Sequence, residues 1–225
     1  SGSYDQLVSG AYLTLLFPFE WGNYAELVNF DCDYQTGPGW AFGSIGAGNF
    51  YNSGSNDNFF KYYSQSVHRA NYHYYLVNKI TTIPEKTKNN ALGELCFLKA
   101  WAQFQLVQYF GPIPLFKSSI SEGNAPEQPR ASVKEVYEYI IETLKEAETL
   151  LVPRTDPEYK KGHVCRGTAK ALLAKVYATI GSASMPSGKI TVKGGPGSKT
   201  NPDGTTSRLM PVPITHDKSQ VAGYE

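Results

Sequence analysis

The first 60 residues contain no lysine and no arginine, although the chain of 225 residues has 21 of them in total. The same stretch carries six acidic residues and 14 of the 30 aromatic residues. A surface formed by these residues would bind phosphate groups poorly, because phosphates need cationic side chains. It suits neutral polar ligands that have apolar faces. The formal net charge of +1 therefore hides an acidic, aromatic N-terminal quarter, and we expect no nucleic-acid partner.

Cysteine is also scarce, with only Cys32, Cys96 and Cys165 in the chain. Their odd number and wide spacing fit neither a disulfide framework nor a zinc site, so we expect buried free thiols. The four histidines form no metal-ligand pattern, and the glycines at 37–48 match no phosphate-binding loop. The sequence therefore predicts no metal and no cofactor.

Long apolar runs are missing as well, since none approaches the ~18–20 residues of a transmembrane helix. The chain opens at Ser1 without a basic and apolar leader. We expect a processed or truncated N-terminus, so the localisation has to be inferred from other features.

Helical periodicity dominates what is present. The four longer stretches predict two antiparallel pairs, and their spacing resembles a tetratricopeptide repeat only loosely. We expect an all-α fold of tetratricopeptide-like antiparallel helix pairs, of the α/α superhelix type, with long irregular loop insertions. The predicted helices are 4–17, then 57–81 paired with 86–110, and 132–151 paired with 168–181.

Several residues predict where these helices begin and end. Ser132 and Glu135 form a capping box at the start of the helix at 132–151. Gly111 is the expected end of the helix at 86–110. Thr168 is the expected cap of the last helix, and Gly181 its expected end. The apolar stripe of the helix at 57–81 is expected to begin at Phe60.

The loop insertion at 18–56 is the candidate binding region. Its aromatic rings can pack against the C–H groups of sugar rings, and its carboxylates and amides can hydrogen-bond their hydroxyls. The alternative is that these rings fill a satellite core beneath the loop. No catalytic residue is predicted. The candidate glycan-binding residues are Asp33, Trp40, Phe42, Tyr51 and Asn52.

One helix carries a family resemblance. Its motif has an acid at Glu94, the stretch Leu98-Lys99-Ala100-Trp101, the exit Tyr109-Phe110-Gly111 and then Pro114-Leu115. This order closely resembles the signature helix of the SusD/RagB family. The stretches 7–12, 69–71 and 167–177 are similar in order and spacing, so the resemblance covers about residues 4–181.

The resemblance implies a non-enzymatic, cell-surface lipoprotein of the Gram-negative outer membrane. Such proteins capture a glycan and act as the lid of a SusC-like TonB-dependent transporter in nutrient uptake. Membrane attachment would come only through an N-terminal lipid anchor missing from this chain. Lys99 stands where arginine is common in the family, and no lipobox cysteine is present.

The domain organisation follows from the same resemblance. We expect an N-terminal helical domain at 1–181, then a Gly/Pro-rich irregular segment at 182–225 that leads to an absent C-terminal part. Two alternatives stay open for the function. One is a helical protein-interaction scaffold without a ligand of its own. The other is a glycoside hydrolase that uses Asp31 and Asp33, for which paired carboxylates are required.

Overall fold

A computed structural model of the chain describes residues 2–17 and 54–183, four later strands and Asp203. The chain divides into two compact units, Ser1–Tyr177 and Ala178–Glu225. The described residues are mostly helical, which confirms the all-α expectation, and no described helix is long and apolar enough to cross a bilayer. The helices are α1 Gly2–Leu13, α2 Gly54–Asn78, α3 Glu85–Phe110, α4 Val133–Leu150 and α5 Arg166–Ala183.

Helix α3 is the centre of the first unit. It packs against α2 on one side and α4 on the other, and α1 contacts both α2 and α3. Ten consecutive residues, 91–100, are buried, so this helix has no solvent-facing side in that stretch. Large side chains such as Phe104 and Leu95 are almost completely enclosed. Each such side chain contributes roughly 1.5–3 kcal/mol to folding by leaving water.

The apolar stripe of α2 differs from the expectation at its first position. Phe59 is fully buried, whereas Phe60 keeps 36% of its surface exposed. The later positions Tyr63, Val67 and Ala70 are buried as expected. The expectation that Phe60 lies in the core was therefore wrong, because the ring of Phe59 occupies the buried position at this turn of α2.

The helix ends confirm some of the capping expectations. The Ser132 hydroxyl accepts a hydrogen bond from the Glu135 N–H, and the Glu135 carboxylate accepts one from the Ser132 N–H, which completes the capping box. Gly111 follows α3 with a φ of 64°, a left-handed value that favours glycine.

The two ends expected for α5 are wrong. The helix begins at Arg166, so Thr168 lies in its first turn, where its hydroxyl accepts a hydrogen bond from the Cys165 N–H. The helix also continues through Gly181 to Ala183. A glycine inside a helix costs only about 1 kcal/mol relative to alanine, which is too little to end it here.

The segment between α3 and α4 is held by a short ladder. Strand β1, Ile113–Pro114, pairs antiparallel with β2, Arg130–Ala131. Between them lies a 3-10 helix at Ile120–Glu122, capped by Ser119. The ladder fixes the path of the chain as it leaves α3, which places the next residues beside α2.

The second unit contains strands where an irregular segment was expected. β3 (Lys189–Lys193) pairs antiparallel with β6 (Pro213–Asp217), and β4 (Gly197–Thr200) pairs antiparallel with β5 (Thr206–Leu209). Three consecutive β-branched residues in β3, Ile190, Thr191 and Val192, favour such pairing. The domain boundary after residue 181 stays a prediction.

Two of the three cysteines lie among the described residues. Both, Cys96 and Cys165, are buried free thiols, as expected. Cys32 lies outside the described residues. No group of three or more His, Cys, Asp or Glu among the described residues could hold a metal ion.

Candidate functional site

The glycan-binding residues expected from the sequence all lie in the part of the chain that the structure does not describe. Their role therefore stays a prediction. They are Asp33, Trp40, Phe42, Tyr51 and Asn52.

Among the described residues, a small cavity lies between α2, α3 and the chain that leaves α3. Its volume is about 130 Å³. We call it the Gln103 pocket. Four of its lining residues lie on adjacent turns of one face of α2. Two more lie three positions apart on α3. Its lining residues are Phe60, Ser64, Val67, His68, Gln103, Leu106, Pro114 and Phe116.

Gln103 is the unusual member of this set. Its side chain is buried, with 1% of the residue exposed. Neither Oε1 nor Nε2 has a hydrogen-bond partner in the part of the chain that the structure describes. A buried polar group without a partner costs about 1–3 kcal/mol. Both amide atoms are enclosed by the protein in this structure.

His68 and Phe116 form one wall of the pocket. Their ring centroids are 4.4 Å apart. The Asn71 amide donates a hydrogen bond of 2.9 Å to the carbonyl oxygen of Phe116, which holds this segment against α2. Burial lowers the pKa of His68, so the imidazole is neutral at pH 7. A neutral imidazole has one donor and one acceptor nitrogen.

An aromatic rim, made of Phe60, Tyr109 and Phe110, borders the pocket. The rings of Phe60 and Phe110 meet edge to face, with centroids 5.1 Å apart. Phe59 packs beneath Tyr109 at 4.5 Å, so the rim rests on a buried ring. Phe60 and Tyr109 are 36% and 42% exposed. Exposed rings on a rigid base can pack against an apolar face of a ligand.

Gln103 was not among the functional residues expected from the sequence. A signal was present, because Gln103 lies between buried Ala102 and Phe104 in a helix that has almost no exposed side. A polar residue in that setting is either paired or functional. Its cavity was not foreseeable, since Pro114 and Phe116 reach it only through the return of the chain after α3.

A second polar cluster surrounds Glu94, which is 4% exposed. Its Oε2 accepts a hydrogen bond of 2.8 Å from Tyr12 and lies 2.7 Å from Nδ1 of His163. Its Oε1 accepts one from Asn90. Burial raises the pKa of Glu94, although its contacts with Tyr12 and His163 oppose the rise. Both carboxylate oxygens are occupied, so the cluster joins α1, α3 and the chain before α5.

Lys99 forms a third buried polar group, with 7% of the residue exposed. Its ammonium donates a hydrogen bond of 3.2 Å to the carbonyl oxygen of Lys117. It also lies 5.7 Å from the ring centroid of Tyr74 and 5.4 Å from that of Tyr139. A cation between two aromatic faces is stabilised by their electron density. Lys99 thus links α2, α3 and α4.

Comparison with known proteins gives a consistent result. Residues 43–178 match a SusD-like family described as starch-binding and associating with the outer membrane. A SusD-like protein of Bacteroides ovatus is 29% identical over 96 residues, which are 43% of this chain and 17% of that protein. The matched stretch thus spans less than a fifth of this relative's length.

Solved structures share the fold. A SusD superfamily protein from Parabacteroides distasonis has a TM-score of 0.68 at 24% identity, over 82% of this chain and 40% of its own. A surface glycan-binding protein A from Bacteroides fluxus has a TM-score of 0.66 at 21% identity, over 82% and 41%. A laminarin-binding SusD-like protein scores 0.66 at 21% identity, over 81% and 41%. This chain therefore spans about two fifths of each.

Proposed function

This chain belongs to the SusD-like (SusD/RagB) family, and from that membership we propose that it binds a glycan at the cell surface for a SusC/SusD-type uptake complex. In this proposal the protein is non-catalytic. It is attached to the outer membrane by a lipid anchor and delivers its ligand to a SusC-like TonB-dependent transporter.

The family match at residues 43–178 is the observation that supports this function most strongly. Its description names both starch binding and outer-membrane association. The matched range includes the end of the aromatic loop, the pocket and the aromatic rim. Two of the structural relatives are themselves described as glycan-binding or laminarin-binding.

The chemistry of the pocket and its rim supports a sugar ligand. Sugars combine apolar C–H faces with many hydroxyl groups, so they need both aromatic surface and unpaired polar groups. Phe60 and Tyr109 provide the exposed rings, and Ser64 and His68 provide polar groups in the pocket lining. The acidic, aromatic loop at 18–56 adds further side chains of the same two kinds.

The contacts of Glu94 support a structural role for this carboxyl group. Glycoside hydrolysis requires two carboxyl groups that reach the bond being cleaved. Glu94 is 4% exposed, and its two oxygens accept hydrogen bonds from Tyr12 and Asn90. It is therefore engaged in holding helices together.

Isothermal titration of the full-length protein against a panel of soluble glycans tests the proposal. We expect binding to at least one glycan, and a loss of roughly 3- to 10-fold in affinity for Trp40→Ala and for Tyr51→Ala, since one aromatic contact contributes ~0.5–1.5 kcal/mol. Tyr177→Ala is the matched control, because Tyr177 is an exposed tyrosine on α5.

Three results would contradict the proposal. One is that no glycan binds while the transporter still imports oligosaccharide. Another is that both loop variants weaken transporter association and leave glycan affinity unchanged, which indicates a scaffold. The third is release of reducing sugar that disappears in Asp33→Asn, which indicates a hydrolase.

A further inference from the structure

A second cavity lies between α1, α3 and the segment that precedes α5. Its volume is about 250 Å³, and we call it the Tyr159 cavity after a residue of that segment. A cavity of about 150 Å³ holds one benzene molecule, and a sugar ring with its hydroxyl groups needs roughly twice the space of benzene. The Tyr159 cavity therefore has room for one sugar ring. Buried Val8 and Ala91 close its floor.

Two tyrosine rings form walls of the Tyr159 cavity. Tyr4 belongs to α1 and Tyr159 to the segment before α5, and both residues are half-buried. Aromatic surface of this kind can pack against the C–H groups of a sugar. The ring centroid of Tyr4 also lies 5.4 Å from Nζ of Lys160. An ammonium group therefore stands beside an aromatic face, as a hydrogen-bond donor next to an apolar wall.

The polar groups at the opening of the cavity are accessible and keep hydrogen-bonding capacity. Lys160 donates to Oδ1 of Asp5, and the two side chains are 48% and 44% exposed. An ammonium has three donors and a carboxylate accepts at both oxygens, so this bond leaves positions open on each group. Glu158 accepts a hydrogen bond from Thr87, and its side chain is 35% exposed. Neighbouring sugar hydroxyls, which both donate and accept, suit a carboxylate beside an ammonium.

The charges around the cavity disfavour an anionic ligand. Asp5 and Glu158 lie at the opening, and Glu94 adds a third carboxyl group at the floor. Of the two basic residues in the lining, Lys160 already pairs with Asp5, and His163 faces Glu94. A carboxylate on the ligand would therefore meet like charges, which costs binding energy. A neutral ligand avoids this cost.

We propose that the Tyr159 cavity binds one neutral sugar ring. This inference rests on the proposed glycan-binding function and adds a second site, formed by residues other than those of the aromatic loop and rim. The C–H face of the sugar packs against Tyr4 and Tyr159. Its hydroxyl groups donate to Asp5 and Glu158, and one accepts from Lys160.

Pairs of methyl glycosides test the site on the full-length protein. The neutral members are the methyl glycosides of glucose, galactose and mannose, and each is paired with the methyl glycoside of its uronic acid. Titration followed by saturation-transfer NMR gives the affinities. We expect at least one neutral member to bind, and to bind about 10-fold more tightly than its partner, because the carboxylate of the partner is repelled by the cavity.

A tyrosine variant locates the bound sugar. Tyr159→Ala removes one aromatic wall, so it should weaken the binding of the neutral glycoside by roughly 3- to 10-fold. Tyr177→Ala is the matched control, since Tyr177 is an exposed tyrosine of α5 that does not line the cavity. It should keep the wild-type affinity.

An aspartate variant tests the charge of the opening without altering its shape. Asp5→Asn should weaken the binding of the neutral glycoside by about 10-fold, because a charged acceptor is lost. It should also narrow the ratio between the neutral glycoside and its uronic acid partner by at least about 3-fold. The ion pair with Lys160 is exposed, so the melting temperature should change little. Asp57→Asn is the control, since both aspartates lie in the first turn of a helix and Asp57 does not line the cavity.

The outcomes separate this inference from the function on which it rests. Equal affinity within every pair overturns the second site, and so does an Asp5→Asn variant that keeps the wild-type affinity and ratio. If Trp40→Ala abolishes binding of the methyl glycoside and Tyr159→Ala leaves it unchanged, the second site fails and glycan capture stands. Binding of larger glycans without binding of any methyl glycoside has the same meaning. Binding of no glycan at all overturns both.

Discussion

Nδ1 of His163 lies 2.7 Å from Oε2 of Glu94, the same oxygen that accepts a hydrogen bond from the Tyr12 hydroxyl. These three residues come from distant parts of the chain. The contact therefore closes the first unit around α3, and it does so through a carboxylate with 4% exposure.

Glu94→Ala is expected to lower the free energy of unfolding by about 2–4 kcal/mol. The change leaves the donors of Tyr12 and Asn90 without an acceptor, and hydrogen bonds to a charged group contribute ~1.5–3 kcal/mol each. Urea denaturation of the full-length protein measures the loss. Glu142→Ala is the control, since Glu142 is an exposed residue of α4 and should change stability by less than ~0.5 kcal/mol. Equal losses in both variants would contradict a special role for Glu94.

Acidification below pH 6.5 is expected to destabilise the protein through His73. Burial lowers the pKa of His73 in the folded state. As the pH falls, His73 therefore takes up a proton in the unfolded chain before it does so in the folded protein. The folded state loses stability as the pH drops below the usual pKa of histidine. Urea denaturation at steps between pH 7.5 and pH 5 measures this slope.

His73→Phe is the comparison for that slope, because phenylalanine does not titrate. Burial raises the pKa of Glu94, which makes stability fall as the pH rises from the usual carboxyl range. That opposite contribution is common to both proteins and cancels in their difference. The variant should lose less stability than the wild type between pH 7 and pH 5. Identical slopes would show that His73 does not contribute.

Gly93→Ala is expected to destabilise the packing of α3 against the end of α4. A β-carbon at Gly93 would lie 2.9 Å from Cγ of Leu151 and 3.0 Å from its backbone nitrogen. The backbone cannot move aside easily, so overpacking should cost about 1–3 kcal/mol. Thermal and urea denaturation check this value.

Gly181→Ala provides the matched control, since a β-carbon there meets nothing within 4 Å. It should raise stability by up to about 1 kcal/mol, because alanine favours a helix interior more than glycine does. If Gly93→Ala behaves in the same way, the close approach to Leu151 is not a constraint.

Ser132→Ala is expected to cost about 1 kcal/mol. The change removes the hydroxyl that accepts from the Glu135 N–H at the start of α4. Thr149→Ala serves as the control, because Thr149 is exposed near the end of the same helix and caps nothing. A loss in Ser132→Ala no larger than in Thr149→Ala would argue against the capping box.

The helices were predictable because their signals are local. Apolar spacing located all five, and the capping box at Ser132 and the stop at Gly111 depend on a few neighbouring residues. The ends of α5 were wrong for a related reason. Thr168 bonds backward to Cys165 from inside the first turn, and a single glycine at 181 does not outweigh a continuing helix.

The Gln103 pocket was not predictable because its walls come from segments that are separated in sequence. Phe60 looks like a core residue in a periodic stripe, and only the position of Phe59 shows that it is not. Phe116 reaches α2 through a turn after α3 and is held there by Asn71. The expected binding residues in the loop at 18–56 lie outside the described residues, so the aromatic composition of that loop still supports only a prediction.

The three buried polar residues of α3 have a consequence for how this helix is held. Glu94, Lys99 and Gln103 lie at different angles around its axis, since they are five and four residues apart. Glu94 meets α1, Lys99 meets the tyrosines of α2 and α4, and Gln103 faces the pocket. Turning the helix about its axis would break the Glu94 and Lys99 contacts together, whereas an entirely apolar helix could turn and repack. Their spacing therefore fixes a single rotational setting for α3.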